Sequence, residues 1–141
     1  MLSRILITAF LWVCAPLQAG AQAHCYDDGG SGVDLSGKLL RRIIAGPPNY
    51  TSIKSGDRPD TILVLRLGRT ICLRADSTGD KLSGIEEVQL LVPEEDRLQM
   101  RTYIDRSTVF SGTLRRTEIP SHPFPVRFWA RLFAVDLRDP D

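Results

Sequence analysis

The chain has 141 residues, 18 of them Lys or Arg and 17 Asp or Glu, for a formal net charge of +1. That length suits one small domain with one core, and no low-complexity segment or long linker marks a second. The near-neutral balance argues against broad binding to nucleic acid or to an anionic membrane, both of which rest on excess positive charge.

The first segment reads as a secretory signal peptide. Arg4 supplies the positive start, Ile5 to Val13 the apolar run, and Ala15-Pro16 its end. Ala21-Gln22-Ala23 matches the small-x-small cleavage pattern, which places the cut after Ala23. A spanning helix needs ~20 apolar residues, so no membrane span is expected in the mature chain. Acylation of Cys14 is disfavoured by Trp12 and Val13 before it, where lipoprotein processing requires a small residue. Cleavage removes one basic residue, Arg4, and no acidic one, which leaves the mature chain formally neutral. The expected location is periplasmic or secreted. Cys25 and Cys72 remain, an even number in an exported chain, and read as a disulfide between the mature N-terminus and an internal strand. Two buried free thiols are the alternative.

Residues 24–32 read as a flexible start. Val33 to Ile44 is the first strand, with Val33, Leu35 and Leu39 on one parity. The apolar set then shifts to Leu40, Ile43 and Ile44, and Gly37 between the two sets predicts a bulge or bend. A loop rich in turn residues follows. Thr61 to Leu67 reads as a buried strand, Gly68-Arg69 as a tight turn, and Thr70 to Ala75 as the partner strand of a hairpin. Asp76 to Gly84 is a polar loop and Ile85 to Val92 another strand. Pro93 to Met100 predicts a short surface helix, since proline and acidic residues suit a helix N-terminus. A strand is expected around Val109, Phe110 and Leu114, then a rigid turn from Pro120 to Pro125, then a long aromatic strand from Val126 to Leu137.

These elements predict a mainly β protein: a small antiparallel β-barrel, OB-like, with at most one or two short helices, over residues 33–138. An open β-roll or another small barrel is the alternative. An internal echo supports closure. Ser36-Gly37-Lys38-Leu39-Leu40-Arg41-Arg42 resembles Ser111-Gly112-Thr113-Leu114-Arg115-Arg116, as two long strands bent at glycine would.

The loop Gly46-Pro47-Pro48-Asn49-Tyr50-Thr51-Ser52-Ile53-Lys54-Ser55-Gly56-Asp57 is the least generic stretch. Two prolines fix φ and steer Gly46 away from helix, while Asn49 can bond its own backbone and tolerate a left-handed conformation. Tyr50 to Lys54 allows one helical turn. The loop either presents Asn49 and Tyr50 as a binding surface or acts as a rigid connector whose Tyr50 plugs one end of a barrel. Its Gly-Pro-Pro-Asn-Tyr-x-Ser-Ile-x-x-Gly-Asp pattern is followed by Leu65-x-Leu67, Ile71-Cys72, Val88-Gln89-Leu90 and Gly112-Thr113-Leu114. In this the chain resembles the DUF4431 family of exported bacterial proteins from about Val33 to Leu137. That resemblance implies a domain type and no reaction, because the family has no assigned activity. Members often carry a His-rich turn near the C-terminus; here Ile119-Pro120-Ser121-His122-Pro123 holds a single histidine.

The mature chain has two histidines, His24 and His122, and His122 reads as an exposed turn residue. No serine sits in a nucleophile motif, and no phosphate-binding glycine loop or metal-helix motif is present, so no catalytic residue, cofactor or metal site is expected. Asp27-Asp28 and Glu86-Glu87 read as solvated charge. If the echoing strands pair, Arg41 or Arg42 can share an outer face with Arg115 or Arg116, joined by Arg127 and Arg131, and grip phosphate or carboxylate. The functional expectation is a non-enzymatic module binding an envelope protein or polymer. A hydrolase acting on envelope polymers and a structural part of an envelope assembly are the alternatives.

Overall fold

The computed structural model describes residues 24–75 and 79–131. The expected signal segment, its expected cleavage site at Ala23 and the part of the expected last strand beyond Arg131 lie outside the described residues. The protein is mainly β: a sheet of six strands. These are β1 (His24–Asp27), β2 (Val33–Ala45), β3 (Pro59–Arg74), β4 (Lys81–Leu91), β5 (Ser107–Arg116) and β6 (Val126–Arg131). The helix α1 (Arg97–Met100) lies between β4 and β5, with 3₁₀ turns before and after it.

Hydrogen bonding links β3 to β2, β2 to β5, β5 to β6, β6 to β4, and β4 back to β3. Most of these pairs are antiparallel, as expected; β4–β6 is parallel, and so is β1–β3. The first four of the residues read as a flexible start are thus a strand on the edge of β3. Their register puts Cys25 opposite Cys72, and the two form the disulfide.

One core fills the inner side. Strand alternation sends Leu35 and Leu39 of β2, Leu65 of β3, Val88 and Leu90 of β4, Phe110 and Leu114 of β5 and Phe128 of β6 into it, each at most 3% exposed. Full burial of side chains of this size stabilises by roughly 1.5–3 kcal/mol each. The shift of apolar parity along β2 has a different origin from a bulge. Leu35 and Leu39 keep the inner parity, while Leu40 and Ile44 belong to a second cluster with Ile62, Val64 and Phe124 on the opposite face. Both faces of this part of the sheet are covered.

The expected hairpin at Gly68-Arg69 does not form. β3 runs unbroken from Pro59 to Arg74, and its pairing with β4 is interrupted between Arg66 and Ile71 and again before Leu73. A glycine inside a strand marks a bulge as readily as a turn, and across the interruption Gly84 of β4 takes a φ of 71°. The helix expected over Pro93 to Met100 divides into a 3₁₀ turn at Glu94–Asp96, where the acidic residues sit, and α1 at Arg97–Met100. It is not only a surface element, because Met100 is 1% exposed and joins the main core.

The echoing glycines share one role. A Cβ on Gly37 would overlap the carbonyl oxygen of Arg66 and stand 2.8 Å from its carbon. A Cβ on Gly112 would overlap the carbonyl oxygen of Trp129 and stand 2.9 Å from its carbon. Each glycine lets a neighbouring strand cross too closely for a side chain, and each is followed two residues later by a fully buried leucine, Leu39 or Leu114.

Candidate functional site

The loop joining β2 to β3 is built around one carboxylate. Asp57 is 3% exposed. Its Oδ1 accepts the Asn49 backbone N–H at 3.0 Å and the Asn49 side-chain amide at 3.2 Å. Its Oδ2 accepts the N–H groups of Thr51 and Ser52, both at 2.9 Å, and the Thr51 hydroxyl at 3.1 Å. The Ser52 and Thr51 N–H groups, against the opposite pull of burial and with help from Asn49 and the Thr51 hydroxyl, hold the Asp57 carboxyl far below the ordinary range. The chain can wrap this tightly because Gly56, after the 3₁₀ turn Ile53–Ser55, adopts a φ of 104°. Asn49 therefore serves the loop from within rather than offering its amide outward.

Tyr50 is the product of that wrapping. Its φ is 57°, left-handed backbone that a bulky residue adopts only when its surroundings impose it. Its N–H donates to the Gly46 carbonyl at 3.1 Å, and its ring meets the ring of His122 at 5.4 Å between centroids. His122 comes from the loop joining β5 to β6. It is 8% exposed, a correction to the exposed turn histidine expected from sequence. The residue beyond Pro123 explains the difference. Phe124 is 6% exposed and packs with Ile62 and Val64, which draws the whole Pro120–Pro125 turn onto the sheet.

The His122 ring is well defined chemically. The Phe124 N–H donates to Nδ1 at 3.1 Å, and the Phe124 carbonyl oxygen lies 3.0 Å from the same nitrogen. Nδ1 accepts from the Phe124 N–H in the neutral tautomer protonated at Nε2, and donates to the Phe124 carbonyl when it carries a proton itself. Burial lowers the His122 pKa; the Phe124 carbonyl partly opposes this, Arg127 lowers it further and Asp60 raises it. Among the described residues no serine and no carboxylate hydrogen-bonds to this ring, so the constellation a hydrolase would use is not assembled around it. No group of three or more His, Cys, Asp or Glu among the described residues is arranged to hold a metal ion.

The register separates the two arginine pairs that were expected to meet, although Arg115 and Arg127 are cross-strand neighbours on one face. The echoing strands do pair, but the register joins Val33–Lys38 to Ser107–Gly112. Arg41-Arg42 therefore runs past one end of the paired stretch and Arg115-Arg116 past the other. Neighbours along a strand also face opposite ways. Arg42 lies on the outer side, where both its terminal nitrogens donate to Glu87 at 2.6 Å and Arg66 Nε adds a bond at 2.9 Å. Burial would raise the Glu87 pKa, but Arg66 and Arg42 lower it on balance, so Glu87 is a buttressed ion-pair acceptor and not loose surface charge. Arg115 sits opposite Arg127, whose Nε donates to Gln89 at 3.2 Å. The Arg116 N–H donates to Asp28 at 3.0 Å. Arg131 ends β6 opposite Ser111.

A large open cleft of about 880 Å³ lies along β5 and β6, lined by Pro93, Thr113, Arg115 and the 41%-exposed Trp129. It is away from the Tyr50–His122 contact and gathers no set of titratable groups. The loop junction is the better candidate because it holds the strained backbone, the buried carboxylate and the ring contact between distant segments. Asp57 and His122 escaped the sequence reading as site residues. Only the short polar run Asn49, Thr51, Ser52 ahead of Gly56-Asp57 hinted at the first; nothing local hinted at the second. Compared with family models, curated proteins and solved structures, the chain matches none.

Proposed function

We propose that the protein is an exported, non-enzymatic binding module that engages an envelope protein or polymer through the joined loops 46–58 and 117–125. In this reading it is a small OB-like barrel, and its loop sequence keeps the resemblance to the DUF4431 domain type. The cycle of pairings through β2, β3, β4, β6 and β5, with the helix between β4 and β5, supports that architecture. In OB folds the loops after the first and fourth barrel strands flank the ligand surface. Those two loops here are the ones carrying Tyr50 and His122.

The observation that carries the reading is Tyr50 held at positive φ against His122 by a loop whose donors converge on Asp57. Strain of this kind costs of order 1–3 kcal/mol and persists where the surroundings over-determine it, most often at binding surfaces. Ile53, 46% exposed on the same loop, adds an apolar contact. The test is crosslinking capture from the envelope fraction with the parent, Tyr50→Ala and Tyr50→Gly, each checked by circular dichroism. The expected result is a captured species lost by both folded variants, with Tyr50→Gly at least as stable as Tyr50→Ala because it relieves the backbone. Equal capture by all three, or a large loss of stability in Tyr50→Gly, would make Tyr50 a connector and end this reading.

A further inference from the structure

A second site lies on the inner side of β2 where that strand outruns the core. Leu39 is fully buried, but the next two residues of its parity, Arg41 and Ile43, project past the end of the packed interior, and Ile43 is 68% exposed. The segment from α1 to the following 3₁₀ turn stands beside them and brings Arg97 and Arg101, four residues apart. Between these elements is a cleft of about 370 Å³ whose floor includes Leu63, Leu90 and Met100. An adjoining depression of about 550 Å³ shares Arg41, Arg101 and Ile104 with it.

The charges of the cleft are unbalanced. Among the described residues no carboxylate pairs with the side chain of Arg41 or of Arg101. Arg97 is held by Glu94 at 3.1 Å. Asp60 contributes to the cleft wall, but its register opposite Ile44 turns its carboxylate to the other face, toward His122, and Asp105, bridged to Lys38 at 3.8 Å, lines the adjoining depression. Two guanidiniums without partners among the described residues, at the mouth of an apolar-floored cleft, suit a compact dianion. A phosphate monoester carries about −1.5 to −2 charges at pH 7 and three strong acceptor oxygens, which matches two guanidinium forks better than one carboxylate does.

We propose that this cleft binds a single phosphate monoester group, clamped by Arg41 and Arg101, with the apolar part of the ligand laid over Leu63, Met100 and Ile104. The group belongs either to a soluble phosphorylated compound or to the headgroup of a lipid; its chemistry at the clamp is the same. The site is independent of the Tyr50–His122 junction and stands if that reading fails.

Titration of the isotopically labelled protein with phenyl phosphate, followed by amide NMR, tests it. Shifts are expected at Arg41, Leu63, Arg101 and Ile104, with none from phenol. Arg41→Gln and Arg101→Gln each weaken the phenyl phosphate Kd by about tenfold, the return expected for losing one charge-assisted contact, while the remaining spectrum is unchanged. No shift with millimolar phenyl phosphate, equal shifts with phenol, or an unaltered Kd in both variants overturns the proposal. Cosedimentation with phosphatidylcholine vesicles, with and without phosphatidic acid, separates the sources. Binding that needs phosphatidic acid and is lost in Arg41→Gln/Arg101→Gln assigns a lipid headgroup. Shifts with phenyl phosphate but no cosedimentation assign a soluble ligand.

Discussion

Three alanine substitutions separate the glycines that shape the sheet from the one that only looks as though it does. At Gly37 and Gly112 a new Cβ would overlap a backbone carbonyl oxygen and stand 2.8 Å and 2.9 Å from the carbonyl carbons. Comfortable carbon–oxygen contacts are about 3.3–3.6 Å, so each strand crossing must open by close to an ångström. The obstacle is backbone, not the far end of a flexible side chain, which puts the cost at the upper end of the ~1–3 kcal/mol typical of overpacking. In a domain of this size that corresponds to a fall in Tm of roughly 10–20 °C. At Gly68 nothing lies within 4 Å of the new Cβ. Its φ lies outside the left-handed region, so Gly68→Ala mainly restricts the unfolded chain and stabilises by ~0.4–1 kcal/mol. Urea unfolding by circular dichroism measures all three, with an unchanged m-value as the check that the denatured state is comparable. Gly37→Ala and Gly112→Ala variants within ~0.5 kcal/mol of the parent would refute the close crossings. A loss of ~1 kcal/mol or more in Gly68→Ala would restore the hairpin turn in place of the continuous β3.

Two further outcomes follow from the same structure. The Cys25–Cys72 disulfide closes a sequence separation of 47 residues, worth about 4 kcal/mol on the chain-entropy estimate, so reduction should lower Tm by more than ~10 °C while the β-type circular dichroism persists. Two thiols titrating in the unfolded, unreduced protein would sink this. Lowering the pH should destabilise the fold in two stages. His122 has a pKa depressed by burial, so the unfolded chain binds its proton first and stability falls as the pH drops below about 6.5 toward the lowered folded value. Asp57, also depressed, adds a second loss below about 3.8. His122→Gln should flatten the first stage and leave the second; an unchanged slope between pH 6.5 and 5 would show that the ring is not buried in solution.

Local physics made much of this protein readable from its residues. β2 and β5 with their mid-strand glycines, the buried run of β3, the helix after Pro93 and the turn at Pro120–Pro125 all follow from periodicity and from what Gly and Pro do to a backbone. The pairing of Cys25 with Cys72 follows from reading the chain as exported, which leaves two cysteines in the expected mature part. What misled was equally local. Gly68 reads as a turn because a glycine next to a charged residue is the same signal for a turn and for a bulge, and only the partner strand decides between them. The shift from Leu39 to Leu40 reads as a bend because a sequence cannot say that a second layer, Phe124, covers the other face.

The candidate sites were less legible than the fold, for a reason of dimension. A strand's sequence tells which residues alternate, but register tells which distant residues meet. Register sent Arg41-Arg42 and Arg115-Arg116 off opposite ends of their own paired stretch and gave Arg42 to Glu87. It left Arg41 beside Arg101, a neighbour supplied by a helix sixty residues on. Composition and pattern by themselves determined a small, mainly β chain with a tied-down Pro-Pro-Asn-Tyr loop. Tertiary structure alone decided that Asp57 would be the anchor of that loop, that Tyr50 would be pressed into left-handed backbone, and that a turn histidine would be buried against it. Each of those depends on packing between segments far apart in sequence, where burial and hydrogen-bond satisfaction outweigh local preference.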